Sequence, residues 1–141
     1  MPGFQQLLSM VLREFGPDVV SVMVFGSRVR GGARSDSDYD MLIIMDQVDL
    51  NPNVRDERVA SATANILLAS GVRISPLVLN REEATDEAER GSPLLSSILA
   101  NYEILYDPNG FAIELLDLVK RSRSSLTYIE RGQAWNLART V

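Results

Sequence analysis

Two aspartates separated by one residue are the strongest candidates for chemistry in this sequence. Asp38 and Asp40 lie in the run Ser37-Asp38-Tyr39-Asp40, at the start of an apolar stretch that predicts a strand over Tyr39 to Met45. Because side chains alternate along a strand, both carboxylates are expected on one face, with Cα atoms about 7 Å apart. Such a pair suits a hard divalent cation, and magnesium is commonly held by one or two carboxylates together with substrate phosphates.

A candidate phosphate-binding element precedes this pair. Val19 to Phe25 is β-branched and aromatic, which predicts a buried strand, and Gly26-Ser27 follows as a loop where the backbone turns or approaches a ligand. The positive charge of Arg28, Arg30 and Arg34 would help to hold a triphosphate. Either the Gly26-Ser27 segment or the segment that contains Asp38 and Asp40 could, by itself, be an ordinary solvated turn. Both segments in this order, between two strands, favour a metal–nucleotide site.

Composition limits the remaining choices. A chain of 141 residues predicts one domain, with a core over about 1–106 and a C-terminal helix and tail over 107–141. The absence of cysteine and histidine excludes thiolate zinc sites, disulfides and histidine-based acid–base catalysis. A net charge of -5 argues against non-specific nucleic-acid binding. No signal peptide and no membrane-length apolar run is found, which favours a cytoplasmic protein that does not bind membranes.

The elements that position the candidate site follow from hydrophobic periodicity. A helix is predicted from Phe4 to Phe15, and a second is predicted with Asn53 as its cap and Gly71 at its end. The inward stripe of this second helix is expected to contain Val59, Ala62, Ile66 and Ala69. A third strand is predicted over Val72 to Leu79, and Pro76 places it at a sheet edge or a bulge. Arg81 to Arg90 is predicted to be a solvated helix or a mobile connection. The remaining predictions are a short helix opened by Ser92-Pro93, a last strand over Glu103 to Tyr106, and a long helix opened by Asp107-Pro108 that reaches about Tyr128.

The stretch from Phe25 to Met41 resembles the signature of the nucleotidyltransferase superfamily related to DNA polymerase beta, in its minimal nucleotidyltransferase branch. The matching residues are Gly26-Ser27, Arg30-Gly31 and Ser37-Asp38-Tyr39-Asp40. The resemblance implies the α/β (α+β) fold of that superfamily, with a small mixed sheet flanked by helices and a C-terminal helix. It also implies a site for ATP or another nucleoside triphosphate at Gly26, Ser27, Arg28, Arg30 and Ser37, with Mg²⁺, in a one-metal or two-metal site, on Asp38 and Asp40.

One member of the family's pattern is missing. The resembled family supplies a third carboxylate from the next strand, but Val72 to Leu79 contains no acidic residue. By register Ser75 is expected at that position, and a hydroxyl is a far weaker magnesium ligand than a carboxylate. Asp46 would lie about 20 Å from Asp40 at strand rise, which is too far for a substitute. Glu82 or Glu83 could approach only through an unusual loop.

The resemblance implies magnesium-dependent transfer of a nucleoside monophosphate, with AMP from ATP as the first expectation, to a hydroxyl. Members of this size are often paired with a helical HEPN-type partner, whose tyrosine they adenylylate to silence a toxin, so an antitoxin with a protein acceptor is expected. Two alternatives stay open. One is transfer to a small molecule of the aminoglycoside type, and the other is a catalytically weak or inactive nucleotide-binding module, which the missing acid favours. The missing acid also leaves open an enzyme that is completed by side chains of its partner. The acceptor, the base preference and homo-oligomerisation are also open.

Overall fold

A computed structural model describes residues 3–32 and 37–131, with side chains described as far as residue 123. Arg34 and the tail after Arg131 therefore lie outside the described residues. The elements, in chain order, are α1 (Phe4–Phe15), β1 (Val19–Phe25), α2 (Ser27–Arg30), β2 (Tyr39–Met45), α3 (Pro52–Ser70), β3 (Ile74–Leu79), α4 (Arg81–Glu89), α5 (Pro93–Ile98), β4 (Tyr102–Tyr106) and α6 (Phe111–Arg131). Within the described ranges, no helix is long and apolar enough to cross a membrane.

The four strands form one mixed sheet in the order β3-β2-β1-β4. β1 pairs antiparallel with both β2 and β4, whereas β2 and β3 run parallel. A parallel pair needs a crossover connection, and α3 supplies it. β3 lies at an edge, as Pro76 predicted, because an edge strand tolerates a residue that cannot donate a ladder hydrogen bond. The predicted small mixed sheet is confirmed.

The sheet is covered on both faces, and β2 is one of its two central strands. One face packs against α1 and α3, and the other packs against α4, α5 and α6. Met41, Ile43 and Met45 point to the first face, and Leu42 and Ile44 point to the second. A strand buried on both sides is apolar at nearly every position, which explains the unbroken run after Asp40.

A partly buried polar contact joins β1 to the residue that caps α6. The hydroxyl of Ser21, fully buried, donates to Asp107 Oδ1 at 2.7 Å. The Asp107 carboxylate also accepts from the amides of Ala112 at 2.9 Å and Ile113 at 3.3 Å. Asp107 therefore caps the last helix as predicted. Pro108 does not open it, because a turn closed by Gly110 N–H donating to Asp107 O at 3.2 Å comes first.

Two other helix predictions need correction. α3 begins at Pro52 rather than after Asn53, because Asn51 is the cap and its side chain accepts from the Asn53 amide at 3.0 Å. Ala69 is exposed, so the buried stripe of α3 is Ala62 and Ile66.

The acidic segment after β3 is an ordered helix with a buried face. Asn80 and Glu83 form a reciprocal capping box at its start. Ala84 and Ala88 are buried in the core that contains α6 residues Leu115 and Val119. Of the two predicted alternatives, the helix is found, and it is less solvated than its composition suggested.

Candidate active site

The candidate site lies at one end of the sheet, where β1 finishes and β2 and β3 begin. Asp40 pairs with Phe25 of β1 on one side and with Ser75 of β3 on the other. Partners in register have side chains on the same face, so Ser75 lies beside Asp40. The predicted register is found. The role of Ser75 as the missing-acid position stays a prediction.

Gly26 is where the backbone leaves β1 and turns into α2. Its φ of 79° and ψ of -150° lie in a region that is essentially restricted to glycine. A Cβ atom on Gly26 would lie 2.5 Å from Oδ2 of Asp40, which is a collision. Its N–H donates to the carbonyl of Asn101 at 3.3 Å. Gly26 therefore makes room for the Asp40 carboxylate, while its own amide is used within the fold.

The residues after Gly26 form a short helix rather than the predicted loop. α2 begins at Ser27, and the Gly26 carbonyl accepts from the amides of Val29 at 3.1 Å and Arg30 at 3.0 Å. The first amides of any helix have no partner within the helix. Ser27 is thus at a helix start next to the acid pair, and Arg30 is exposed at the helix end.

The two aspartates differ in environment. Asp38 is exposed, whereas Asp40 is partly buried. Burial raises the pKa of the Asp40 carboxyl, and the neighbouring charge of Asp38 raises it further. The negative charge of Asp38 thus disfavours ionisation of Asp40, and a cation bound by the pair would offset that effect. Within residues 3–32 and 37–131 no group of three acidic or other metal-ligating side chains is found.

The other acids considered as substitutes lie at the opposite end of the sheet. β3 runs from Ser75 to Leu79, a distance on the order of 13 Å, before α4 begins. Glu83 is held there by both terminal nitrogens of Arg55, at 2.9 and 3.0 Å. Asp46 is paired with Arg81 at 2.7 Å. Strand direction and these ion pairs remove Glu83 and Asp46 as third ligands.

Arg28, in α2, contacts the chain just before β2 begins. Its Nε donates to the carbonyl of Ser37 at 3.0 Å, and its Nη2 donates to the same oxygen. The guanidinium carbon lies 4.4 Å from the centroid of the Tyr39 ring. The structure thus brings Arg28 and Ser37 together with each other, next to Asp38.

Sequence reasoning missed Arg73. Its carbonyl accepts from the Tyr39 amide at 2.9 Å, which continues the β2–β3 pairing and places Arg73 opposite Asp38. Val72 and Ile74 pack on the α1–α3 face, so alternation puts Arg73 on the face of Ser75 and Asp40. Its side chain has no ion pair among the described residues. The sequence signal for Arg73 was side-chain alternation, because a residue two positions before Ser75 lies on the same face of the strand.

Residues 6–109 match the family described as "Polymerase beta, Nucleotidyltransferase". The chain belongs to this family. The match covers every residue of the acid pair, of α2 and of β3, so the resemblance of the Phe25–Met41 signature is confirmed at the level of the family.

Relatives of this polymerase beta family member include adenylyltransferases. A protein of Methanocaldococcus jannaschii named "Putative protein adenylyltransferase" is 27% identical over 135 residues, which are 94% of this chain and 90% of the relative. The spectinomycin 9-adenylyltransferase of Staphylococcus aureus is 35% identical over 81 residues. That match covers 55% of this chain and only 31% of the relative.

Solved structures confirm the predicted fold class. A chain of a mutant MntA–HpeT toxin–antitoxin complex has a TM-score of 0.60 at 12% identity, over 99% of this chain and 98% of that chain. A toxin–antitoxin structure with AMP-PNP has a TM-score of 0.58 at 12% identity, over 99% and 98%. A complex of tri-AMPylated Shewanella oneidensis HEPN toxin with MNT antitoxin has a TM-score of 0.54 at 14% identity, over 97% and 94%.

Proposed function

We propose that this nucleotidyltransferase-family protein transfers AMP from ATP to a hydroxyl of a partner protein, with Mg²⁺ on Asp38 and Asp40. The observation that carries the proposal is the pair Asp38 and Asp40 at the start of β2, with the Asp40 carboxylate packed against Gly26. Two similarities support the acceptor class: the near full-length relative named "Putative protein adenylyltransferase", and the fold shared with a chain from a complex of HEPN toxin and MNT antitoxin. On this basis a helical HEPN-type protein is the proposed partner.

Each residue of the site has a proposed role. Bound Mg²⁺ would supply charge neutralisation and polarise the reacting phosphate. Ser27, Arg30 and Ser37 are the proposed triphosphate contacts, and Gly26 leaves the Asp40 carboxylate the space that a side chain would fill. The acceptor oxygen forms its bond to the α-phosphorus as the bond from that phosphorus to the bridging oxygen breaks. Pyrophosphate leaves with the electron pair, and the acceptor proton passes to water.

The acceptor would approach from the β3 side of Asp40. There Ser75 and Arg73 replace the acidic neighbourhood that the family pattern supplies. Neither side chain can act as a carboxylate base, so the partner must contribute to activation of its own hydroxyl or turnover is slow. The lack of a third acid among the described residues also favours a second candidate, a nucleotide-binding module without turnover.

A binding measurement tests the metal–nucleotide part of the proposal. ATP with Mg²⁺ is expected to raise the melting temperature, and ATP with a chelator is expected to raise it much less, because Asp38 and Asp40 repel the bare triphosphate. A ligand present at a hundredfold its dissociation constant adds about 2.7 kcal/mol to the free energy of unfolding. Asp38→Asn with Asp40→Asn should remove the magnesium-dependent part. An equal shift with and without Mg²⁺ would contradict the assignment.

A further inference from the structure

Arg28 connects α2 to the residue that precedes Asp38. Arg28 belongs to α2, before the loop, and its guanidinium reaches Ser37, nine positions later in sequence. Two of its nitrogens donate to one carbonyl oxygen, and its central carbon lies over the Tyr39 ring, 4.4 Å from the ring centroid. A planar guanidinium is suited to this combined hydrogen bonding and ring stacking, and the stacking gains strength when the cation is partly desolvated.

Both chain neighbours of Asp38 are anchored by these contacts. Ser37 is held through its carbonyl by Arg28. Tyr39 donates its amide to the Arg73 carbonyl at 2.9 Å, and its buried ring packs edge-on against Phe4, with centroids 6.5 Å apart. Asp38 itself is exposed and lies between two fixed residues. The contact between Arg28 and the Ser37 carbonyl is therefore one of the contacts that fix the position of Asp38 relative to Asp40.

We infer that Arg28 is a positioning residue for Asp38 and not a triphosphate ligand, which revises the role that the sequence suggested. The inference rests on the proposed function, because it takes Asp38 and Asp40 as the metal-binding pair. If Arg28 turned to bind phosphate, it would release the Ser37 carbonyl and the Tyr39 ring. Removing a group that orients a metal ligand typically costs about 10–100-fold in metal affinity, although that group never touches the metal.

Substitution of Arg28 by glutamine distinguishes a role in positioning Asp38 from a role in binding phosphate. Its amide nitrogen is the same number of bonds from Cα as Nε of arginine, so Arg28→Gln keeps a donor for the Ser37 carbonyl and loses the charge. Arg28→Met loses both. A positioning role predicts that the Gln variant keeps most of the magnesium-dependent affinity for ATP, while the Met variant loses about 10–100-fold. A phosphate-binding role predicts that Arg28→Gln and Arg28→Met lose equal affinity for ATP. Arg30→Gln and Arg30→Met are the matched control pair, and the two variants should have the same affinity for ATP.

Amide hydrogen exchange of the protein without metal or nucleotide gives a second readout. Arg28→Met should accelerate exchange at the Tyr39 amide, whereas Arg28→Gln and both Arg30 variants should not. This measurement stands even if the wild-type protein fails to bind ATP with Mg²⁺, a result that would overturn the proposed function alone. Equal affinities and equal exchange rates for Arg28→Gln and Arg28→Met would overturn the positioning role. If the Met variant does not fold, an Arg28→Gln variant that loses affinity as Arg30→Gln does would overturn it as well.

Discussion

At the scale of single residues, Gly26 satisfies two separate constraints. Its backbone conformation is one that side chains disfavour, and the space where a Cβ would lie is occupied by the Asp40 carboxylate. Gly31 has a similar backbone, with φ of 92° and ψ of 165°, but nothing lies within 4 Å of its Cβ position. The two glycines therefore allow backbone strain to be separated from the collision with Asp40.

Gly26→Ala and Gly31→Ala are predicted to differ in function more than in stability. Each should lose on the order of 1–3 kcal/mol of stability from backbone strain. Only Gly26→Ala should also displace Asp40 and lose the magnesium-dependent binding of ATP. Chemical denaturation and calorimetric titration with ATP and Mg²⁺ would measure both effects. Similar ATP affinities in the two variants would show that Gly26 is required only by the turn.

At the scale of elements, the site depends on how the strands are paired. The parallel pairing of β2 with β3 puts Ser75 next to Asp40, and the direction of β3 carries Glu83 to the other end of the sheet. A carboxylate can therefore be added to the acid pair at Ser75. The nearby charge of Arg73, two residues earlier on the same face, would moderate the added repulsion.

Ser75→Asp is predicted to make stability depend more strongly on magnesium. Three close carboxylates repel one another without a cation, so the variant should unfold more easily in a chelator and gain more than the wild type from added Mg²⁺. Ser75→Asn is the control for side-chain size without charge. Thermal unfolding with and without Mg²⁺ measures the effect. If the Asp and Asn variants behave alike, residue 75 does not share the metal site.

Glu83 connects α4 to α3 far from the site, and its contribution should depend on pH. Burial would raise its pKa, but the hydrogen bond and charge of Arg55 and the amide of Asn80 outweigh burial and lower it. A carboxyl with a lowered pKa stabilises the fold above its unfolded pKa, and that stability is lost as pH falls through the lower, folded value.

Glu83→Gln keeps a residue that can complete the capping box and removes the charge. It should cost about 1 kcal/mol near neutral pH, the upper end for partly exposed ion pairs. The cost should shrink toward zero as the pH falls below the ordinary glutamate range. Urea unfolding of both proteins across pH measures it. Glu87→Gln, in an exposed pair 3.7 Å from Arg90, should have little effect. A cost for Glu83→Gln that did not vary with pH would mean that packing, not charge, is responsible.

The sequence predicted most of these elements because each has a local signal. Alternation along Tyr39–Met45 placed Asp38 and Asp40 on one face, and Pro76 predicted an edge strand. The contact of Arg28 with Ser37 and the approach of Asp40 to Gly26 could not be predicted, because they depend on loop closure and on cross-strand pairing. The start of α3 was misplaced because Asn51 and Asn53 are both good caps, and only Pro52 at the first turn separates them.

At the scale of the whole molecule, an acidic chain surrounds its acid pair with arginines. The net charge is -5, yet Arg28 and Arg73 contact the two chain neighbours of Asp38, and Arg30 lies two residues after Arg28. This local charge favours an anionic ligand, whereas the overall charge disfavours nucleic acid. Family membership and fold support a nucleoside triphosphate as that ligand. The acceptor has no comparable signal in the sequence, because the residues that contact it follow no fixed spacing.

The central claim is AMP transfer to a partner protein at the Asp38–Asp40 pair, and label transfer tests it most directly. The chain would be incubated with Mg²⁺, a helical HEPN-type partner and ATP labelled at either the α- or the γ-phosphate. We expect the α-label to become covalently attached to the partner and the γ-label to leave in pyrophosphate. Asp38→Asn with Asp40→Asn should abolish attachment. Binding of ATP without attachment of the α-label, or attachment that persists in the double variant, would contradict the claim.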